Sequence, residues 1–247
     1  MVIALVGLMA TLLAGKVSEA FYSASLAVSA NNIRQLTTGT VAYLGDHRSR
    51  FWPYRERVMS DGAVEGVRWW FGFEALGSLR APEGERIFDP DRGPLAGYIP
   101  AGLNPDPSFG RAGRAFKPKY RFGYIGLGYN VLLADDEGHA VRGWMGTGTP
   151  VRLGDLSAPQ DVVVFATSAQ INTFQPPASP RRPMIEEFYG IDDRETTVHF
   201  RHNGKAMVAF ANGSVGFLDM EPGTLDTRAP SARVGRFAPR GNARYLR

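Results

Sequence analysis

The chain begins with one helical pattern that runs without a break from Met1 to Gly45. The stretch Met1–Gly15 is apolar and contains no charged residue, and apolar side chains then recur at helical spacing as far as Leu44. A helix of this extent would be about 70 Å long at ~1.5 Å per residue, which exceeds the helices of ordinary globular domains. One end of such a helix favours lipid or an apolar helix bundle, and the other end favours a folded head.

The apolar start is short for a membrane anchor. Its 15 residues fall below the roughly 20 that cross a bilayer core, so the anchor looks truncated at its beginning. A cleaved secretory signal is the alternative, because Ser18–Ala20 offers small residues at a suitable distance. No Lys or Arg precedes the apolar run, however, and the helical pattern continues through that cleavage point.

Composition predicts one globular head after the helix. The 247 residues are 44% hydrophobic, which suffices for one core of ordinary size. The 29 Gly and 17 Pro residues favour short strands joined by long loops. We therefore expect a stalk at 1–50, a head at 51–226 and a tail at 227–247. The absence of Cys excludes disulfides and thiolate metal sites.

The net charge of +4 comes from the tail and does not predict nucleic-acid binding. The tail contains no acidic residue and six arginines, and removing those six from the 28 Lys and Arg leaves 22 basic residues against 24 acidic ones. Such a segment is typically disordered or draped over a surface; contact with anionic lipid, polysaccharide or nucleic acid is the alternative.

Strand patterns place a sheet in the head. Three apolar runs rich in β-branched or aromatic residues predict strands at Val67–Phe73, Asp161–Thr167 and Thr196–Phe200. The runs Lys205–Phe210 and Ser214–Leu218 flank Asn212-Gly213 and predict a hairpin, because both turn residues tolerate positive φ. We expect an α+β fold with an antiparallel sheet and the long helix packed on one face.

An aromatic cluster lies just beyond the stalk. Its members are Phe51, Trp52, Tyr54, Trp69, Trp70, Phe71 and Phe73. Large aromatic residues are highly buried on average, so we expect them to form the core that joins helix and sheet. Exposed, the same rings would suit a polysaccharide-binding surface.

The sequence offers little support for catalysis, so we predict no enzyme activity, cofactor or metal. His199 and His202 would point to opposite faces of one strand. A metal site formed by His202 and Asp193 is one alternative to a histidine that bonds the hairpin backbone. The acidic turn Asp135–His139 could hold Ca²⁺ through oxygen ligands, but it lacks the spacing of a calcium loop, and a solvated turn is the simpler interpretation.

Several stretches, in order along the chain, carry a family resemblance. Nine residues separate His202 from Asn212-Gly213, in a segment that includes Asn203 and Gly204, and this resembles the H-X9-DG signature of prepilin-type C-terminal domains. Asn31, Asn32, Arg34 and Gln35 resemble a second stretch of the same proteins. Further resembling segments occur in order at Tyr43, Phe51–Pro53, Tyr124–Leu132, Val151–Leu153 and Val162–Ala166. The chain thus resembles type IV pilin-like subunits and type II secretion pseudopilins.

The chain departs from the family pattern in two places. Asn212 replaces the signature's Asp, which removes a carboxylate but should preserve the turn, because Asn tolerates the left-handed region. At the front, Met1–Leu5 resembles the segment directly after the family's basic leader, cleavage-site Gly and Phe-Thr-Leu-Ile-Glu-Leu. We expect either that the reading frame extends upstream into that leader or that this member lacks the processing site.

The resemblance implies a structural role. It implies cleavage by a prepilin peptidase if a leader exists, N-methylation, and a helix that holds the subunit in the inner membrane with a periplasmic head. That helix would then pack with itself or with other pilin-like subunits in a periplasmic or extracellular filament. The expected assembly positions are Val2, Ile3, Leu5, Leu8 and Leu12. The alternative is a secreted or membrane-tethered polysaccharide-binding protein that uses an exposed aromatic face.

Overall fold

The computed structural model describes residues 2–99, 102–121, 125–135, 137–242 and 244–245, with side chains from residue 13 onward. One helix, α1, runs from Val2 to Asp46. The predicted long helix is therefore confirmed. The side chains of the expected assembly positions Val2, Ile3, Leu5, Leu8 and Leu12 lie outside the described residues.

The remaining elements are short. The other α-helices of the described chain are α2 (Leu76–Leu79), α3 (Pro107–Gly110) and α4 (Ala140–Met145). The strands are β1 (Arg55–Ser60), β2 (Ala63–Trp69), β3 (Gly72–Ala75), β4 (Phe116–Lys117), β5 (Leu127–Asn130), β6 (Val163–Thr167), β7 (Gln170–Asn172), β8 (Met184–Glu186), β9 (Gly190–Ile191), β10 (Val198–His199), β11 (Lys205–Phe210), β12 (Val215–Asp219) and β13 (Val234–Gly235). The fold is α+β, as predicted.

The largest sheet is mixed and has the strand order β12-β11-β6-β5-β9. Its first four strands are antiparallel neighbours, whereas β9 pairs parallel to β5. A second parallel pair joins β4 to β8. The predicted antiparallel pairing is therefore found for four of the five strands, and it is wrong for β9. A parallel pair needs a long crossover connection, and the segment between residues 130 and 190 supplies one.

The second half of α1 packs against this sheet. Thr37, Thr40 and Val41 lie beside Phe165 of β6 and Phe210 of β11. Ile33, Leu36 and Leu44 of the helix are buried in the same core. Each such side chain contributes on the order of 1.5–3 kcal/mol when it is fully buried, so hydrophobic burial holds this half of the helix to the head.

The aromatic run predicted as one strand folds into two. Trp69 of β2 pairs with Gly72 of β3, and the chain turns at Trp70 and Phe71. Both of these side chains are buried. Successive residues of a strand point to opposite faces, so a turn is what allows two adjacent rings to enter the same core. The predicted strand Val67–Phe73 is wrong for this reason.

The Arg-rich tail is part of the head. β13 pairs with β10, and the Val163 N–H donates to the Arg244 carbonyl. The rings of Phe237 and Tyr245 stack with their centroids 4.5 Å apart, and both are buried. The expectation of a disordered or surface-draped segment is wrong for the described part of the tail, because its apolar residues complete the core between the arginines.

Candidate functional site

The helix α1 divides into an exposed and a docked half. Residues 13–24 are exposed, apart from the half-buried Tyr22, and these include Leu13, Val17 and Phe21, at 67%, 46% and 53% exposure. From Ser25 to Leu44, at least one residue in each helical turn is buried against the head. A row of exposed apolar side chains is typical of a surface that contacts another molecule. In the part of the chain that the structure describes, no helix has both the length and the hydropathy to cross a membrane.

A buried polar contact fixes the docked half to the head. The Ser29 hydroxyl of α1 donates to Oδ2 of Asp106 at 2.5 Å, and Arg201 donates to the same oxygen at 2.9 Å. Asp106 also caps α3, because its Oδ1 accepts the Ser108 N–H at 2.8 Å. One carboxylate therefore joins the long helix, a loop helix and the segment after β10.

The Asp106 carboxylate stays ionised although it is completely buried. Burial disfavours the charge, but Arg201 and the hydrogen bonds from Ser29 and Ser108 outweigh burial and lower the pKa of Asp106 to about 2. Arg201 is almost as buried, and it donates in addition to the Gly126 carbonyl at 2.7 Å. Removing either charge would leave the other buried without a partner, which is costly.

An asparagine of the helix adds a second polar contact. Asn32 Nδ2 donates to the Asn104 carbonyl at 2.7 Å, and the Asn104 N–H donates to Asn32 Oδ1 at 3.0 Å. The Asn32 side chain thus donates one hydrogen bond to the Asn104 backbone and accepts one from it, as a residue of a neighbouring β-strand would. Of the other residues in the resembling stretch, Asn31 and Arg34 are exposed and Gln35 is half-buried. Asn32 is the member of this stretch that docks the helix.

The two histidines near the signature lie around Arg201. His199 ends β10, and its Nδ1 lies 3.2 Å from Arg201 Nη1. A guanidinium only donates, so this nitrogen accepts. His202 lies beyond the strand in a turn. The prediction that the pair would point to opposite faces of one strand is wrong, because the strand ends before His202.

Both histidines are held neutral. Burial, together with the positive charge of Arg201, lowers the pKa of His199 to about 3 and that of His202 to about 4. The His202 backbone exchanges hydrogen bonds with Lys205. The expected hydrogen bond from the His202 side chain to the hairpin backbone is not formed through Nε2, which is buried without a partner among the described residues. The signature histidine is thus a buried neutral side chain beside the junction formed by Ser29, Asp106 and Arg201.

The signature segment contains two different turns. At Asn203-Gly204, both residues have positive φ, of 51° and 82°, and this two-residue turn connects His202 to β11. This is the Asn-Gly turn chemistry that the sequence pattern predicted at Asn212-Gly213. The dipeptide Asn-Gly occurs twice in this segment, and only at Asn203-Gly204 are both residues in the left-handed conformation.

The turn between β11 and β12 uses its asparagine differently. Only Gly213 is left-handed, with φ of 88°, while Asn212 Oδ1 accepts from both the N–H and the hydroxyl of Ser214, at 3.0 and 2.7 Å. The predicted hairpin is confirmed, but the reason given for Asn212 is wrong. Its side chain closes the turn by hydrogen bonding, a role that Asp fills equally well.

The aromatic cluster is core. Six of its seven members are buried, and Trp69 is half-buried. Trp52 stacks on Tyr129, and Tyr43 of α1 meets Trp52 edge-on with ring centroids 5.0 Å apart. The cluster joins helix and sheet, as predicted, and it presents no broad exposed aromatic face.

The structure bears directly on one of the two alternative metal sites, the acidic turn at Asp135–His139. Asp193 accepts the Gly241 N–H through Oδ2. Within the described residues, one group of three metal-ligating side chains comes together, and it consists of Asp135, Glu137 and His139. It includes neither His202 nor Asp193. Asp136, which belongs to the same predicted turn, lies outside the described residues, as does Tyr124 of the resembling segments.

Sequence reasoning missed the residues that build the junction. Ser29, Asn104 and Asp106 carry no motif that marks them as a group, and Arg201 stands in the signature segment without an assigned role. The one local signal is Asp106-Pro107-Ser108, since Asp before Pro at a first helical position is typical of a helix N-terminus. No protein-family model, no curated protein and no solved structure matches this chain. The function is therefore inferred from the helix and its junction.

Proposed function

We propose that this chain is a structural subunit, a pilin or pseudopilin, of a type IV pilus-like or type II secretion-like filament. In this proposal, the first half of α1 packs with the same segment of neighbouring subunits after release from the inner membrane. The periplasmic head then decorates the filament.

The observation that carries the proposal is the division of α1 into two halves. The exposed half presents Leu13, Val17 and Phe21 to solvent, whereas the docked half buries one face against the head from Ser25 onward. A helix that only stabilised the head would not need eleven exposed residues among the twelve from residue 13 to residue 24. Apolar surface on a projecting helix is best used by packing against lipid or against other helices.

The polar junction supports the same role. A filament transmits force from the helix to the head, and hydrophobic contact alone allows a helix to slide or rotate. Ser29 and Asn32 bind fixed points of the head through directed hydrogen bonds. These bonds set the rotation of the helix as well as its position.

The binding-protein alternative has weaker support, because the aromatic cluster is buried. One observation remains in its favour, a hollow of about 330 Å³ lined by Tyr43, His47, Trp52 and Trp69. Its rim carries the exposed ion pair of Arg68 and Glu56 at 2.7 Å. A hollow in the head does not account for a long exposed helix.

The proposal is tested with charge substitutions at two of the expected assembly positions of α1. Leu8→Lys and Leu12→Lys, alone and together, should abolish filaments or cross-linked oligomers in membranes, because a charge in an apolar helix bundle costs several kcal/mol unless it is paired. Oligomers are measured by cross-linking and electron microscopy. Folding of the head is measured by limited proteolysis.

Ile87→Lys is the matched control. Ile87 is an apolar side chain of the head at 56% exposure, so the same charge there should leave both assembly and folding unchanged. Oligomers that persist with both lysines in α1 would overturn the proposal, provided that the head remains folded.

A further inference from the structure

The turn before α4 gathers three side chains at metal-ligand distances. His139 Nδ1 lies 3.6 Å from Asp135 Oδ2 and 3.3 Å from Glu137 Oε2. The three ligand atoms all lie within 4.8 Å of one another. Two ligand atoms that are each ~2.1 Å from a tetrahedral ion are about 3.4 Å apart. The two separations from His139 Nδ1 are close to this value.

The Asp135 carboxylate is the second, independent observation. Its side chain is completely buried, its Oδ1 accepts the Glu137 N–H at 3.2 Å, and its Oδ2 has no hydrogen-bond partner among the described residues. A buried carboxylate oxygen without a donor is expensive. This oxygen faces the His139 ring, so a cation held there would satisfy it.

Arg142 contributes a positive charge next to Asp135 and Glu137, but it does not donate a hydrogen bond to Asp135 Oδ2. Its Nη1 donates to Glu137 at 2.5 Å, while its Nε is 3.6 Å from Asp135 Oδ2, beyond hydrogen-bond distance. The Arg142 side chain is 41% exposed and can turn into solvent. Glu137 and His139 are more than half exposed, which gives an ion a route from solvent.

The ligand types select the ion. Ca²⁺ and Mg²⁺ prefer shells made entirely of oxygen, and Ca²⁺ prefers six to eight ligands, whereas an imidazole with two carboxylates suits first-row divalent ions. Three protein ligands on a tetrahedral ion leave one position for water or for a group from another molecule. We propose that Asp135, Glu137 and His139 form a site for a divalent first-row cation, with Zn²⁺ preferred over Ca²⁺. This goes beyond the sequence-based expectation of a solvated turn and is independent of the filament role.

The test is calorimetric titration of the untagged full-length protein, stripped with chelator, with Zn²⁺ and in parallel with Ca²⁺. One Zn²⁺ should bind per chain, at least about 10-fold more tightly than Ca²⁺. His139→Ala and Glu137→Gln should each weaken Zn²⁺ binding about 10-fold or more, in line with the effects of disturbing a ligand set. Both positions are exposed, so these variants should remain folded.

His47→Ala is the control. His47 is an exposed histidine that stacks on Tyr43 at 3.7 Å and belongs to no ligand group among the described residues. This variant should bind Zn²⁺ like the wild type. The proposal is overturned if Zn²⁺ does not bind saturably, or if the affinity is the same in His139→Ala and Glu137→Gln as in the wild type. Ca²⁺ binding as tight as Zn²⁺ binding would overturn the choice of ion and the role of the imidazole.

Discussion

Replacing Arg201 with methionine should undock the long helix from the head. Arg201 and Asp106 are 5% and 0% exposed at their side chains, and they form an ion pair at 2.9 Å. Arg201→Met keeps much of the side-chain volume but leaves Asp106 as a buried charge. Breaking a buried pair in this way costs roughly 3–5 kcal/mol, which for a domain of this size lowers Tm by about 6–20 °C.

The assay is urea unfolding monitored by tryptophan fluorescence, with hydrogen exchange at α1 as the local measurement. Arg68→Met is the matched control, because Arg68 pairs with Glu56 at 2.7 Å and both side chains are exposed, at 42% and 43%. An exposed pair contributes less than about 1 kcal/mol. The reasoning is refuted if Arg201→Met costs no more than Arg68→Met, or if exchange in α1 from Ser25 to Leu44 does not increase.

Two further measurements sharpen this test. The double variant Arg201→Met/Asp106→Leu should cost less than the sum of its two single variants, by about 1–3 kcal/mol, because it leaves no unpaired charge. Acid should also reduce the penalty of Arg201→Met. Without Arg201, only the hydrogen bonds from Ser29 and Ser108 oppose the effect of burial, so the pKa of Asp106 rises above its wild-type value. The carboxyl then protonates, and loses its unpaired charge, at a higher pH than in the wild type.

The remaining predictions concern pH and the turns. His199 and His202 have folded pKa values of about 3 and about 4, below the ~6.5 of the unfolded chain. Their contribution to stability should therefore be lost as pH falls from ~6.5 to ~4 for His202 and to ~3 for His199. Glu187, with its pKa raised to about 7 by burial, has the opposite effect, since its contribution is lost as pH rises through 7. Near pH 5.5 the two histidines outweigh Glu187 by about one proton, so the free energy of unfolding should fall by about 1 kcal/mol for each unit by which the pH is lowered. Urea titrations that show no change in the free energy of unfolding there would contradict this. Gly204→Val and Gly213→Val, at φ of 82° and 88°, should each cost on the order of 1–3 kcal/mol, and an unchanged urea midpoint in either variant would show that the turn is not strained by a side chain.

Regular elements with a strong local pattern were predictable, and contacts between distant segments were not. The long helix and the hairpin β11–β12 can be deduced from apolar spacing and turn residues. The junction cannot, because Ser29 and Asp106 are 77 residues apart and Asp106 and Arg201 are 95 apart. Each of these side chains is an ordinary polar residue in its own neighbourhood. Nothing local distinguishes a serine that faces solvent on a helix from one that meets a buried carboxylate.

The errors have local physical causes. At Trp70 and Phe71, a run that is ideal for a strand turns instead, because both rings enter one core. At Asn212, the turn was predicted correctly, but it was expected to depend on a positive φ. The Asn212 side chain closes the turn instead, by accepting a hydrogen bond from the Ser214 N–H. The composition of the tail indicated a basic, polar segment, and it did not indicate that Phe237 and Tyr245 are buried in the core.

The continuity of α1 through both halves fixes the direction in which the head faces. Each residue of an α-helix turns the chain by about 100°, so one alanine inserted between Val17 and Tyr22 would rotate the exposed side chains by about 100° relative to the docked ones. Seven inserted residues would bring the two faces back to within about 20° of their present angle and lengthen the helix by ~10 Å. The number of residues between the exposed and docked halves therefore sets the azimuth of the head around anything that the exposed half packs against.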